Sequence, residues 1–540
     1  MTGFWTLLRL RLRRDRWQLV VWALGCGLLA VVTVVAVARE YGDGAARAAL
    51  LQLATGDQAL LVLRGTARGA ELGPLIFFQI GAFLAAMTGL MSTFLAVRHS
   101  RADEESGIAE LVGSTAAGRA APYAATLLHG AFVNVVVGAA IAIAFIGGGL
   151  DPAGSVVAGA ACAGAGIVFV AIGLCCAQLV RTSRAANGLA AALVGVAYLL
   201  RGLGDATGSV AADHLSLVPA WPSLLSPIGW AQATNPYSGD DLLPLAGCLL
   251  GAAAFGALGV ALMLRRDAGS AILPERPGRA SARRSLNGTV ALTLRLQRGS
   301  IVGWCVAGGL LGVLMGTLSK TAIEAVQANP AFGAAIASIA PGSDAGALRD
   351  HFIAALMGIV GITAAGCATQ LMMRARQEEA NGTAEVILST GTSRLRWFGG
   401  YLAAGALTIV LVLLVAGLLA SAAFLANGED ASVVAACLAA AAAQVPAALI
   451  YLGLTGAIVA ILPRATIPAG WSLLTVGLFL GQLGGLIGAP DWLRDVSPFV
   501  HTPALPGPDP NWSGGIVMLL VAVALAGLGA VALRRRDLTT

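Results

Sequence analysis

Asp103, Glu104, Gly107, Glu110 and Arg119 recur 275 positions later as Glu378, Glu379, Gly382, Glu385 and Arg394. Ala109, Ser114 and Thr115 recur with them, as Ala384, Ser389 and Thr390. Each copy lies between two long apolar runs. A stretch this polar is unstable in hydrocarbon, so both copies lie in water or against another protein. Carboxylates presented from the face of a membrane suit one kind of chemistry, pairing with Arg or Lys in the groove of a partner. A central glycine permits a tight bend or a close approach. Each copy therefore reads as a short acidic docking helix, at about 100–119 and about 375–394.

Other chemistry is missing. No G-x-x-x-x-G-K-[ST] phosphate loop exists, because the single lysine, Lys320, follows Ser319. The chain has no ATP site of its own in sequence terms. His99, His129, His214, His351 and His501 are scattered without an i, i+4 pair. Neither a metal site nor a catalytic triad is expected, and the chain does not read as an enzyme. The eight cysteines fall in apolar runs without ligand spacing and read as small core residues. His129 is the one histidine inside an expected span, where a bond to a neighbouring helix is the simpler reading than a proton relay. Every Asp and Glu is expected in a loop or terminus, whereas ion-coupled carriers need a buried carboxylate. Arg201 and Lys320 read as snorkelling from helix ends.

The elements that hold these residues follow from composition. With 57% hydrophobic and 11% charged residues over 540 positions, a soluble globular chain is excluded. Apolar windows of about 20 residues place spans near 17–38, 72–97, 122–148, 154–180, 185–204 and 242–264. A second set falls near 301–319, 352–373, 397–425, 432–462, 466–487 and 513–533. The expected architecture is an all-α polytopic membrane protein with twelve transmembrane helices in two six-helix repeats. Its halves are 1–264 and 291–540, joined by a flexible Arg-, Pro- and Gly-rich linker at 265–290.

Further repeats support the duplication. Val196–Gly204 resembles Val476–Gly484, Ser226-Pro227 resembles Ser497-Pro498, and both halves close on Leu followed by arginines and Asp, at 264–267 and 533–537. Residues 1–16 combine Arg9, Arg11, Arg13, Arg14 and Arg16 with Phe4, Trp5, Leu8 and Leu12 on one helical face, as an interfacial helix would. The run 17–38 ends in a signal-peptidase-like Ala36-Val37-Ala38, but it exceeds a usual signal-peptide core and its Leu10–Trp22 pattern recurs at Leu292–Trp304. Cytoplasmic termini put most basic residues on the inner side and turn both acidic patches to the cytoplasm. The outer segments 205–241 and 488–512 carry Trp and Pro and are candidates for re-entrant structure.

The pattern Glu-x-x-Gly-x-x-Glu-(Leu/Val)-x-x-Ser-Thr between the second and third spans of a six-span unit resembles the permease subunits of type-2 ABC exporters. Two fused halves resemble a subgroup from high-GC bacteria that includes polyketide antibiotic (tetronasin-type) export permeases. The resemblance implies a coupling helix in each half, seated on an ABC ATPase, with Asp103, Glu104, Gly107, Glu110 and Arg119 in one and Glu378, Glu379, Gly382, Glu385 and Arg394 in the other. A family proline after the Ser or Thr is replaced by Ala116 and Gly391. It further implies a multi-pass permease of the bacterial inner membrane and two copies of the ATPase, which holds ATP and Mg2+. The cargo implied is a hydrophobic or amphipathic drug-like compound moved outward past the second, fifth, eighth and eleventh spans. Phe77, Phe78, Gln79, Met87, Tyr198, Met357, Phe479 and Gln482 are the lining candidates. The rival readings are an ion-coupled secondary multidrug antiporter and a non-transporting membrane scaffold.

Overall fold

The computed structural model describes residues 3–118, 120–213, 215–267, 269–273, 281, 286–328, 345–483, 490–503, 505–506 and 512–536, with 315, 320–328, 345–348 and 482–483 described by backbone alone. Arg119 and the side chain of Gln482 lie outside what is described. The chain divides into two compact units, Met1–Pro277 and Gly278–Thr540. The division falls within the stretch expected as a linker.

The first unit contains α1 (Phe4–Glu40), α2 (Gly44–Gly56), α3 (Gln58–Arg64), α4 (Leu72–Arg98), α5 (Arg101–Glu105), α6 (Ile108–Gly113), α7 (Ala121–Gly147), α8 (Pro152–Leu179), α9 (Ser183–Ala206), α10 (Pro227–Ala233) and α11 (Leu243–Leu264). The second contains α12 (Thr289–Ala328), α13 (Ala345–Ala380), α14 (Thr383–Leu388), α15 (Arg394–Ala426), α16 (Ser432–Ala443), α17 (Val445–Ile461), α18 (Thr466–Leu478), α19 (Asp491–Arg494) and α20 (Ser513–Arg535). Eleven of the described helical segments, with α16 and α17 taken as one, are long and apolar enough to cross a membrane. The expected span 466–487 is the exception: α18 passes into a π-helical turn at Phe479–Leu483, beyond which the chain is not described until Pro490.

The N-terminal expectation needs correction. α1 runs unbroken for 37 residues, about 55 Å at 1.5 Å per residue, so the arginine-rich segment is the first part of the span helix and not a separate interfacial one. Its buried stripe is Leu8, Arg11, Asp15, Cys26, Ala30, Val34 and Val37, at helical spacing, and Trp5 faces outward.

Small residues let the helices approach. In the first unit α8 is the central helix, packed against α4, α7 and α11. At the α7–α8 crossing a Cβ on Gly138 would lie 2.5 Å from the Gly159 carbonyl, and one on Gly159 would lie 2.3 Å from that of Gly138. Backbone contact of this kind is how helices associate where lipid removes the hydrophobic driving force. The second unit repeats the plan, with α17 packed on α13 and α20 and with α12 on α15. Gly308, Gly312 and Gly316 make a stripe at four-residue spacing on α12; a Cβ on Gly312 would meet the Ala416 carbonyl at 2.4 Å. The tenth expected span is two helices, because Pro446 withholds its N–H and the ladder breaks at Gln444.

The 205–241 segment holds the antiparallel pair Ser209–Val210 and Leu217–Val218, a 3-10 turn at Trp221–Leu225, and α10. α10 buries Ile228, Gly229, Ala231 and Gln232 against α4, α8, α9 and α11. Ser226, at its N-cap, donates to the Ala197 carbonyl at 2.7 Å; Ser497 donates to that of Gly477, also at 2.7 Å. The two Ser-Pro pairs thus make the same bond to the same position of the repeated 196–204 and 476–484 motif.

Candidate functional site

Each acidic patch folds as helix, glycine turn, short helix. Gly107 (φ 76°, ψ −2°) and Gly382 (φ 71°, ψ −2°) adopt the same left-handed conformation at the N-caps of α6 and α14. A glycine stands there because other L-residues reach this region at a cost. Ser114 and Thr115 close α6 by donating to the Leu111 and Val112 carbonyls; Ser389 and Thr390 close α14 by donating to those of Val386 and Ile387. Three positions, the glycine, the serine and the threonine, therefore recur in three dimensions as well as in sequence.

The acids divide into two groups. Asp103 pairs with Arg14 at 2.8 Å. Glu104 takes a bidentate fork from Arg266, with Nη1 at 3.0 Å from Oε2 and Nη2 on Oε1, and a third contact from Arg101 at 2.8 Å. Glu379 accepts from Arg536 and lies 3.5 Å from Arg376. Glu378 and Glu379 are 4% and 3% exposed. Asp103, Glu104 and Glu379 are thus occupied within their own units, and Glu378 is buried. Glu110 and Glu385 are exposed on the short helices, next to the equally exposed Leu111 and Val386. Arg394 donates to the Arg536 carbonyl at 2.8 Å.

Behind the first patch is a cavity of about 280 Å³ lined by α1, α6, α7, α8 and the end of α11, with Arg11, His99, Thr126 and Gln178 among its polar walls. Arg11 donates to the Pro122 carbonyl at 2.6 Å and the His99 carbonyl at 3.2 Å. At its edge is a cluster the sequence reading missed. Asp15 Oδ2 lies 2.5 Å from His99 Nε2 and 3.0 Å from His129 Nε2, and Oδ1 lies 3.2 Å from Arg98. Asp15, His99 and His129 are the one trio among the described residues whose ligand atoms lie close enough together to hold a metal ion, a grouping that their scattered sequence positions did not reveal. The carboxylate is already taken by two imidazoles and a guanidinium, and the adjoining cations Arg98 and Arg11 oppose a further positive charge.

A second buried ion pair lies on α9. Arg201, fully buried, contacts Asp205 at 3.2 Å and the Leu61 carbonyl at 3.3 Å, and stacks 4.2 Å over the Tyr198 ring. Ser223 bridges Asp205 Oδ1 (3.1 Å) and the Arg201 carbonyl (3.0 Å). Snorkelling therefore does not describe Arg201, and the placement of every acid in a loop is wrong for Asp15, Asp205, Glu378 and Glu379. All four are buried on helices. The Arg-x-x-x-Asp spacing of 201 and 205 was the available signal, since i, i+4 partners face each other. Nearby Arg68, which burial pushes down from the usual guanidinium range, shares a void of about 10 Å³ with Gln232 and Asn235, room for one water.

Of the lining candidates, Phe77, Phe78 and Met357 are buried inside their own units, and Tyr198 is held by its hydroxyl on the Leu63 carbonyl. Gln79 and Met87 are partly covered and Phe479 is exposed.

Residues 286–534 match the family model of the C-terminal domain of the multidrug efflux system permease Rv1217c. Over 545 aligned positions the chain is 33% identical to the multidrug efflux system permease protein Rv1217c of Mycobacterium tuberculosis H37Rv, covering 99% of this chain and 95% of that relative.

Proposed function

Because the chain belongs to the Rv1217c family of multidrug efflux permeases, and is a multi-pass membrane transport protein, we propose that it is the permease of an ATP-driven, type-2 ABC exporter. Two copies of a separate ATPase, which supplies ATP and Mg2+ chemistry, dock on the α6 and α14 elements from the cytoplasm of a bacterial cell. The membrane is the inner one and both termini are cytoplasmic. The cargo is a hydrophobic or amphipathic antibiotic-like compound, in keeping with the tetronasin-type subgroup. The observation that carries this reading is the pair of matching projections, Glu110–Leu111 and Glu385–Val386, the exposed remainder of a motif whose other acids are turned inward.

An apolar side chain beside a carboxylate suits a groove with a greasy floor and a basic rim. Gly107 and Gly382 hold each projection at a fixed angle to the preceding helix. The buried carboxylates do not revive an ion-coupled antiporter. Asp15 is held by two imidazoles and Arg98, and Asp205 by Arg201 and Ser223, so both carboxylates are committed to neighbouring side chains.

The test is Glu110→Lys with Glu385→Lys. The double variant is expected to insert normally, to lose most co-purifying ATPase and to lose drug efflux from cells. Undiminished recovery of the ATPase with normal efflux would defeat the assignment.

A further inference from the structure

We infer that Glu104 and Glu379 are struts that make each docking element move as one body with the last helix of its half. This rests on the docking reading above and assigns a different role to the inward acids. The same three-residue arrangement occurs twice. Arg101, Glu104 and Arg266 form it in the first unit, and Arg376, Glu379 and Arg536 in the second. Arg101 and Arg376 stand three residues before their acids, 275 positions apart. Arg266 and Arg536 lie just beyond the C-termini of α11 and α20.

The surroundings are duplicated too. Arg101 Nε donates to the Ala177 carbonyl at 2.8 Å, near the end of α8. Arg376 Nε donates to the Pro463 carbonyl at 3.1 Å, just past the end of α17. Arg266 Nε reaches Gln178 Oε1 at 2.6 Å, and Arg536 Nη1 reaches the Val459 carbonyl at 3.3 Å. In each unit one carboxylate therefore joins three elements: the docking segment, the fourth-span helix and the end of the last span. The Arg101 and Glu379 side chains are 1% and 2% exposed. Desolvation makes such pairs costly to break by losing one partner, so the contact persists while the element is pushed. A planar guanidinium forked on a carboxylate, as Arg266 is on Glu104, also fixes orientation, which a single-point contact does not.

Force applied at Glu110–Leu111 thus reaches α11 directly, and force at Glu385–Val386 reaches α20. Arg394 strengthens the second strut by holding the Arg536 carbonyl. Residues 104 and 379 are positioning residues, and no contact with cargo is assigned to them.

The experiment uses the full chain with its ATPase in proteoliposomes. Arg266→Met with Arg536→Met keeps side-chain bulk and removes the fork. The expected result is unchanged recovery of the ATPase, continued ATP hydrolysis, and a fall of about tenfold in drug moved per ATP, within the usual range of coupling between sites. Separately, Glu104→Cys with Arg266→Cys is joined by a reducible bifunctional thiol cross-linker. Transport is expected to be restored when linked and lost again on reduction, a reversal that simple misfolding would not show. Normal transport by the Met variant, loss of the ATPase from it, or transport abolished by the cross-link would each overturn the strut. Failure of the unaltered chain to bind any ATPase would instead overturn the docking reading.

Discussion

Asp15 shows how much one carboxylate can organise when it is denied water. It ties α1 to α7 through His129 and to the end of α4 through His99. Removing it strands two buried N–H donors, each costing about 1–3 kcal/mol when unpaired. Asp15→Ala is therefore expected to destabilise the protein by about 3 kcal/mol, read as a lower denaturation midpoint in detergent. Asp15→Asn, which keeps one acceptor oxygen in place, should lose less than half as much. Equal losses would mean that packing and not hydrogen bonding sets the value of the site. The sequence concealed this cluster for a physical reason. Its members lie 84 and 30 positions apart on three helices, and a lone Asp among arginines reads as a solvated face. Arg201 and Asp205, four apart on one helix, were readable and were misread because hydropathy placed them near a helix end.

Helices and their crossings were far more open to inference. Ten of the twelve expected spans are each covered by a single helix, since an apolar run of sufficient length has few alternatives in lipid. Where the expectation failed, backbone chemistry was responsible: Pro446 divides one span, and α1 continues through a polar stretch because nothing in residues 4–40 breaks a helix. What hydropathy does not convey is which glycines touch. Gly138 and Gly25 are alike in sequence, but a Cβ on Gly138 collides with the Gly159 backbone and one on Gly25 meets nothing within 4 Å. Gly138→Leu should cost about 3 kcal/mol or more by forcing α7 from α8, and Gly25→Leu should shift the same denaturation midpoint little. A comparable loss in both would show that the crossing does not limit stability.

The duplicated plan also predicts where the chain tolerates cutting. Each unit has its own buried core, and composition alone suggested a loose strap from 265 onward. The described start of that strap is instead fastened to the first unit. Arg266 forks Glu104, the Ser270 carbonyl accepts from Arg101 at 2.9 Å, and the amides of Ile272 and Leu273 donate to the Gln178 and Leu179 carbonyls at 3.2 and 3.0 Å. A polypeptide of residues 1–277 should therefore fold as a membrane bundle that resists protease. One of residues 1–264 retains every long helix of that unit but leaves the buried Arg101 beside a Glu104 that has lost its other partner. Losing one side of a buried pair costs about 3 kcal/mol, enough for roughly hundredfold faster cleavage when opening is rapid. Pulse proteolysis of the two polypeptides, each expressed alone, measures the difference. If 1–264 proves as resistant as 1–277, the strap is a tether after all, and the Arg266 fork adds nothing to the stability of the helices it joins.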